Sequence, residues 1–394
     1  MLALMLTLLL APQEPATEVT RTEELQRARE EKALNLQPPK RSFLEKGLFD
    51  LKEKRLVERF QEGFGGFHPF LGGIKKGSGF GFGTSYDITN QLKASAQFSI
   101  KGYQKYEVVY TDPVFIHDRL FMEVRTSYQT APEETYFGTG NDTDSDHRTN
   151  YLREDRTVAG QIGVRAAKHL KVGVHSGFLD TTVGEGRSAR IPSVAEVFDF
   201  TDLPAIQGQP RYVIGGAFLD ADYRDEPGNP RAGRRFLARW SSFNDRDFSR
   251  YDFMQYDVEV QQYIPFFNKR RVIALRAKST LTDTGDGQSI PFYMLPTLGG
   301  SEDLRGFADF RFRDKNMVAV NAEYRWEAFS GLDVALFADA GQVARSPRDF
   351  RVRDMNTAAG FGFRFNTAKR VFLRIDVGFS NEGARVFMKF GNVF

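Results

Sequence analysis

The feature that most constrains this chain is an alternation of apolar and polar residues that returns in run after run from about residue 64 to residue 394. From Met317 to Glu327, the residues Val318, Val320, Ala322, Tyr324 and Trp326 share one parity; Ala319, Asn321, Glu323, Arg325 and Glu327 share the other. From Leu332 to Gly341, Leu332, Val334, Leu336, Ala338 and Ala340 oppose Asp333 and Asp339. From Val371 to Phe379, Val371, Leu373, Ile375, Val377 and Phe379 oppose Arg374, Asp376 and Gly378. Lys93 to Lys101 and Leu120 to Tyr128 follow the same rule. Successive side chains of a strand point to opposite faces, so a period of two reads as strands with one greasy and one polar face.

The polar face decides the class. It carries both charge signs, at Glu323, Arg325, Asp339, Arg374, Asp376, Lys389, Gln255, Asp257 and Glu259 among others. A soluble sandwich also alternates, with its apolar face inward, but one sandwich usually takes ~100 residues. Here the pattern would need about three of them, with no linker between. A closed barrel in lipid needs only one apolar face per strand of ~9–11 residues and tolerates a wet, charged lumen. Composition agrees: 13% of residues are aromatic and 36 are Gly, and the mean hydropathy is −0.42. Beyond the first eleven residues no stretch approaches the ~20 apolar residues of a spanning helix. The absence of Cys excludes disulfides, thiolate metal sites and Cys nucleophiles. A net charge of +3 gives no reason to expect a nucleic-acid partner. The expected fold is all-β: a 16-stranded antiparallel transmembrane β-barrel with a short helical N-terminal extension.

Connection lengths set the strand number. Strands are expected near 64–72, 77–87, 91–102, 104–112, 117–129, 149–166, 169–181, 210–222, 233–244, 250–264, 270–282, 316–328, 332–342, 354–366, 370–379 and 384–394. Fourteen strands remain if the first two runs are not strands. Short joins alternate with longer ones at 130–148, 182–209, 283–315 and 342–353. Outer-membrane barrels have short periplasmic turns and longer outer loops, which puts both barrel ends at the periplasmic rim and requires an even count. Closure removes strand edges that lipid cannot solvate.

The N-terminus reads differently. MLALMLTLLLA at residues 1–11 is an apolar run of export-signal length, without a preceding Lys or Arg and without a clean A-x-A site. Residues 1–16 are expected to be a signal peptide, and 17–63 a charged helical periplasmic extension. In that extension Glu23 and Arg27 stand at i,i+4, and Leu44, Leu48 and Leu51 form a stripe. The barrel is expected over 64–394.

Within the longest late loop, Leu298-Gly299-Gly300-Ser301-Glu302-Asp303 leads into Leu304-Arg305-Gly306-Phe307, with five strands after it. This resembles the V/L-R-G-F/Y loop signature of the BamA/TamA-like outer-membrane barrel superfamily, the bacterial surface antigen family. Glu323, on the next strand, and Asp339, in Phe337-Ala338-Asp339-Ala340-Gly341, match the family's acidic partners and its F-x-D-x-G pattern. Tyr136-Phe137-Gly138-Thr139-Gly140-Asn141 and Asp222-Tyr223-Arg224-Asp225-Glu226-Pro227 with Asn229-Pro230 look similar to pieces of compact members. The resemblance implies that loop 283–315 folds into the lumen and that Arg305 is locked by Glu323 and Asp339. It also implies that a terminal amphipathic strand, with Phe390 and Phe394 on the apolar parity of Val386 and Met388, is the assembly signal. The family's periplasmic polypeptide-binding modules are expected to be absent, since only the charged extension precedes the first strand.

The implied function is assistance with insertion or translocation of protein or lipid at the bacterial cell outer membrane. The weak, Gly-rich first strand pairing with the last is where the barrel would open. The alternative is a charged-lumen channel or structural barrel without a client. Implied partners are outer-membrane lipid and lipopolysaccharide, nascent outer-membrane proteins and the barrel assembly machinery.

No enzymatic activity, cofactor or metal is expected. His68, His117, His147, His169 and His175 are scattered, and no G-x-S-x-G is present for a lipid hydrolase. Gly77-Ser78-Gly79-Phe80-Gly81-Phe82-Gly83 is not a phosphate loop; its glycine-lined face is expected to give room to the inserted loop. Asp142, Asp144 and Asp146 have calcium-loop spacing, but His147 and Arg153 stand where an EF-hand needs Gly and Glu, so a solvated acidic loop is expected.

Overall fold

The computed structural model describes residues 21–34, 46–47, 63–112, 119–367, 370–391 and 394. The expected signal peptide and the Leu44, Leu48, Leu51 stripe lie outside the described residues. The chain divides into two units, 1–46 and 47–394. In the first, helix α1 (Arg21–Leu34) exposes residues 24–31, as a helix charged on every side must.

The second unit is built of strands. They are β1 (Phe67–Gly72), β2 (Gly81–Asp87), β3 (Leu92–Ser99), β4 (Gln104–Asp112), β5 (Leu120–Tyr136), β6 (Thr149–Ala167), β7 (Leu170–Glu185), β8 (Tyr212–Asp222), β9 (Gly233–Asp245), β10 (Phe253–Phe266) and β11 (Arg271–Asp283). After them come β12 (Thr297–Leu298), β13 (Phe312–Arg313), β14 (Asn316–Phe329), β15 (Leu332–Ala344), β16 (Asn356–Asn366), β17 (Val371–Ser380) and β18 (Gly383–Lys389). All but β12 and β13 form one sixteen-stranded sheet in chain order, with antiparallel neighbours throughout; β12 and β13 pair with each other inside the loop after β11. The sixteen strands fall where the alternation placed them. β5 and β7 run further than expected, to Tyr136 and Glu185, and β5 carries a bulge between Ala131 and Glu134 that breaks its register.

Parity became the division between the outer face and the lumen. Val320, Trp326 and Leu336 are 44%, 47% and 57% exposed, whereas Glu323, Asp339 and Asp376 are 1%, 2% and 0% exposed. A continuous apolar band of this kind is stable only against lipid or a partner. Among the described residues no helix is long and apolar enough to cross a membrane.

The sheet curls until its ends meet without joining. Among the described residues β1 and β18 share no ladder. A Cβ built on Gly72 would sit 3.5 Å from the Phe390 Cβ, and the Phe80 and Phe390 rings are 6.0 Å apart.

Two expectations about the C-terminal strands need correction. The terminal strand was expected to carry Phe394 on its lipid face. It stops at Lys389, and Gly391 adopts φ +90°, a turn open to glycine. The Phe394 ring lies inside, 8% exposed, against Tyr263, Val272 and Ala274, with the guanidiniums of Arg276 and Arg325 at 5.7 and 5.6 Å from its centroid. An aromatic face over two cations is favoured where water is excluded. Val371 was placed on the outward set; it is 2% exposed, because the register slips between Phe365 and Asn366 and its amide donates to Gly228 O at 3.0 Å.

Candidate functional site: a buried arginine lock

The connection between β11 and β14, residues 284–315, is the sixth outer loop, and five strands follow it. Its two limbs pair as β12 and β13, and its tip turns through Gly299 and Gly300 at φ +113° and +87°. A Cβ at Gly300 would fall 2.0 Å from Asp309 Oδ1, so only glycine fits the turn. Leu304 N donates to Gly300 O, and Phe307 N to Leu304 O, at 3.2 Å each. These bonds set Arg305 at the apex.

Arg305 is 0% exposed. Its NH1 donates to Glu323 Oε1 at 2.5 Å, its NH2 to Asp339 Oδ1 at 2.7 Å and its Nε to Asp339 Oδ2 at 2.8 Å. Its backbone amide donates to the same Asp339 oxygen at 3.1 Å. The guanidinium carbon lies 3.6 Å from the centroid of the Phe337 ring. A bidentate fork on one carboxylate, a third bond to another and an aromatic floor together fix the apex in one orientation.

The network is wider than the two acids the sequence identified. Glu323 also accepts from Arg325 Nε at 2.8 Å and from Arg364 NH2 at 2.5 Å. Asp376 pairs with Arg364 NH1 at 2.6 Å and with Arg374 NH1 at 2.9 Å. Four guanidiniums (Arg305, Arg325, Arg364, Arg374) thus face three carboxylates (Glu323, Asp339, Asp376) in a buried cluster contributed by β14–β17 and the loop. Arg364 was missed, though it lies inward between the outward Phe363 and Phe365 and parity would have found it.

Loop carbonyls are satisfied by barrel side chains: Ser301 O by Arg374, Glu302 O by Arg276, and Asp303 O by Asn321. Leu304 and Phe307 are fully buried with Leu298, Phe312, Met317 and Val343. Glycines let the tip touch the wall. A Cβ at Gly306 would sit 2.7 Å from Ser380 Cβ, one at Gly378 2.0 Å from Arg305 O, and one at Gly341 2.9 Å from the Leu298 side chain. Of the glycine run near β2, Gly77 does meet the loop, at Phe310; Gly81 and Gly83 instead abut neighbouring backbone. The room is made chiefly on β15 and β17.

Two further clamps had no sequence signal. Asp303 of the loop pairs with Lys76 at 3.1 Å and with Lys278 at 3.3 Å. Glu134, swung inward past the β5 bulge, accepts from Lys75 and from the Tyr151 hydroxyl, each at 2.5 Å, with Arg313 at 3.5 Å. Lys75 and Lys76 belong to the first outer loop, so the first hairpin is tied to the lumen loop by ions.

The remaining candidates hold no comparable site. His175 Nε2 is 3.1 Å from Ser241 Oγ, but its Nδ1 has no partner among the described residues, so the third member of a triad is not in place. Asp142, Asp144 and Asp146 are exposed, and among the described residues no group of three or more His, Cys, Asp or Glu is placed to hold a metal.

Residues 82–391 match the family described as the Omp85 superfamily domain. The fold is similar to that of BamA from Haemophilus ducreyi lacking POTRA domains 1-3, with a TM-score of 0.60 and 16% identity over 83% of this chain and 70% of that one. It is also similar to CdiB from Escherichia coli, with a TM-score of 0.54 and 11% identity over 82% of this chain and 62% of that one. The chain therefore spans less than two thirds of that CdiB. No curated protein matches.

Proposed function

The chain belongs to the Omp85 superfamily of outer-membrane barrels, and on that premise we propose that it assists the insertion or translocation of protein or lipid at the bacterial outer membrane. The observation that carries this reading is the seam. Every neighbouring pair in the sheet shares a ladder except, among the described residues, β1 with β18. Unpaired backbone groups facing hydrocarbon cost several kcal/mol each. An extended client segment, or a local thinning of lipid, would relieve that cost. β1 and β18, at 6 and 7 residues, are also the shortest barrel strands, with β2. On this reading the partners are outer-membrane lipid, lipopolysaccharide and nascent barrel proteins delivered with the assembly machinery, and no bond is made or broken. The terminal aromatics keep their proposed part as the chain's own assembly signal.

The test uses the absence of native Cys. Gly72→Cys with Phe390→Cys gives a disulfide of acceptable Cβ separation across the seam. In liposomes, the reduced protein is expected to accelerate folding of a urea-unfolded outer-membrane barrel, and the oxidised protein to lose that effect. Equal acceleration in both states would overturn the seam as the carrying feature, and steady ion conductance with no effect on the client in either state would overturn the proposal in favour of a channel.

A further inference from the structure

The connection between β8 and β9, residues 223–232, does not stay at its own place on the rim. Gly228 O accepts the Val371 amide at 3.0 Å, and Arg231 NH2 donates to both oxygens of Asp333 at 2.7 and 2.9 Å. In strand order Asp333 lies on β15, four places beyond β9, and Val371 on β17, six places beyond. Six steps of ~4.8 Å are roughly 29 Å of wall, more than a third of the circumference, so the connection must cross the opening as a chord. The residues it reaches are buried although they begin strands at the rim: Asp333 is 1% and Val371 2% exposed.

The connection is built to hold that course. Asp225 Oδ1 accepts the amides of Glu226, Arg231 and Ala232 at 3.0–3.1 Å, and Asp225 Oδ2 accepts Lys269 Nζ at 2.9 Å. Burial alone would raise the Asp225 carboxyl; the Lys269 ammonium and the Arg231 and Ala232 amides hold it below the usual carboxylate range. Pro227 and Pro230 stiffen the span. The β10–β11 turn places Phe267, Asn268 and Lys269 at φ +48°, +54° and +63°, a costly run for residues with side chains. That run presents Lys269 O to Arg231 NH1 at 3.0 Å.

We propose that residues 223–232 are a strap that closes the periplasmic mouth of the lumen, with the Arg231–Asp333 pair as its buckle. The inference rests on the alternation of periplasmic turns and outer loops along the sheet, which puts the β8–β9 connection at the periplasmic end, not on the seam. With the lumen loop folded inward from the outer side, a closed mouth leaves the seam as the exit, and release of the buckle opens the interior to the periplasm.

A Val371→Cys probe, the one thiol in the chain, tests this by its rate of maleimide labelling in the folded protein. Labelling is expected to be slow with the strap intact and several-fold faster with Arg231→Ala or with the milder Asp333→Asn. The charge exchange Arg231→Asp with Asp333→Arg is expected to restore slow labelling. Heat-modifiable gel mobility confirms in each case that the barrel is folded. Labelling as fast in the parent as in the variants, or an exchange variant that stays folded and unprotected, would overturn the proposal.

Discussion

The barrel has two adjoining regions with opposite chemistry, β17 of the first pairing directly with β18 of the second. On one, β14–β17 and the loop tip bury seven charged side chains in a network of ion pairs. On the other, β1 and β18 come within van der Waals reach and share no backbone bond among the described residues. The difference teaches how such a fold can be both stable and able to open. Buried ions fix one orientation because every alternative strands a charge. An unpaired edge has no such penalty for moving, since its polar groups are already unsatisfied.

The strongest way to break the contrast is Glu323→Ala. It removes an acceptor shared by Arg305, Arg325 and Arg364, and Arg325 loses the one side-chain bond described for it. A loss of about 3–5 kcal/mol is expected from the urea midpoint.

Arg305→Ala should cost less, about 3 kcal/mol, because Glu323 keeps two guanidiniums while Asp339 keeps the Asn321 amide. Arg305→Lys should recover part of this, since the charge survives and the bidentate fork does not. Equal losses for Ala and Lys would remove geometry from the account.

Gly306→Ala sharpens the comparison by leaving every charge in place. Its Cβ would press on Ser380 and Ala358, and overpacking of this kind costs ~1–3 kcal/mol. At the seam, Met388→Ala on the lipid face of β18 should stay within about 0.5 kcal/mol, as expected of a side chain 55% exposed. A loss there as large as at Gly306 would erase the distinction between the two regions.

Much of this was legible in the chain, for identifiable reasons. Strand number and facing followed from a period of two that lipid and lumen both enforce. Glu323 and Asp339 were readable because they lie on inward parity and match the acidic positions of the family pattern that Leu304 to Phe307 resembles. Features set by long-range contacts or by a local break in the pattern were not. Phe394 turns inward because a single residue, Gly391, takes a left-handed conformation and because β10, β11 and β14 assemble a pocket of rings and guanidiniums, which no local pattern encodes. Glu134 faces inward because of a bulge. The strap depends on contacts between a turn and strands up to six places away, and the spacing of Arg231 and Asp333 in the sequence carries no trace of that.

Hydrogen–deuterium exchange of the folded barrel in lipid tests the central claim most directly, since amide protection reports local opening strand by strand. The account predicts that amides of β14–β17 and of residues 304–307 exchange slowest, and that those of β1 and β18 exchange fastest among the barrel strands. Protection of β1 and β18 equal to that of β14–β17 would contradict it.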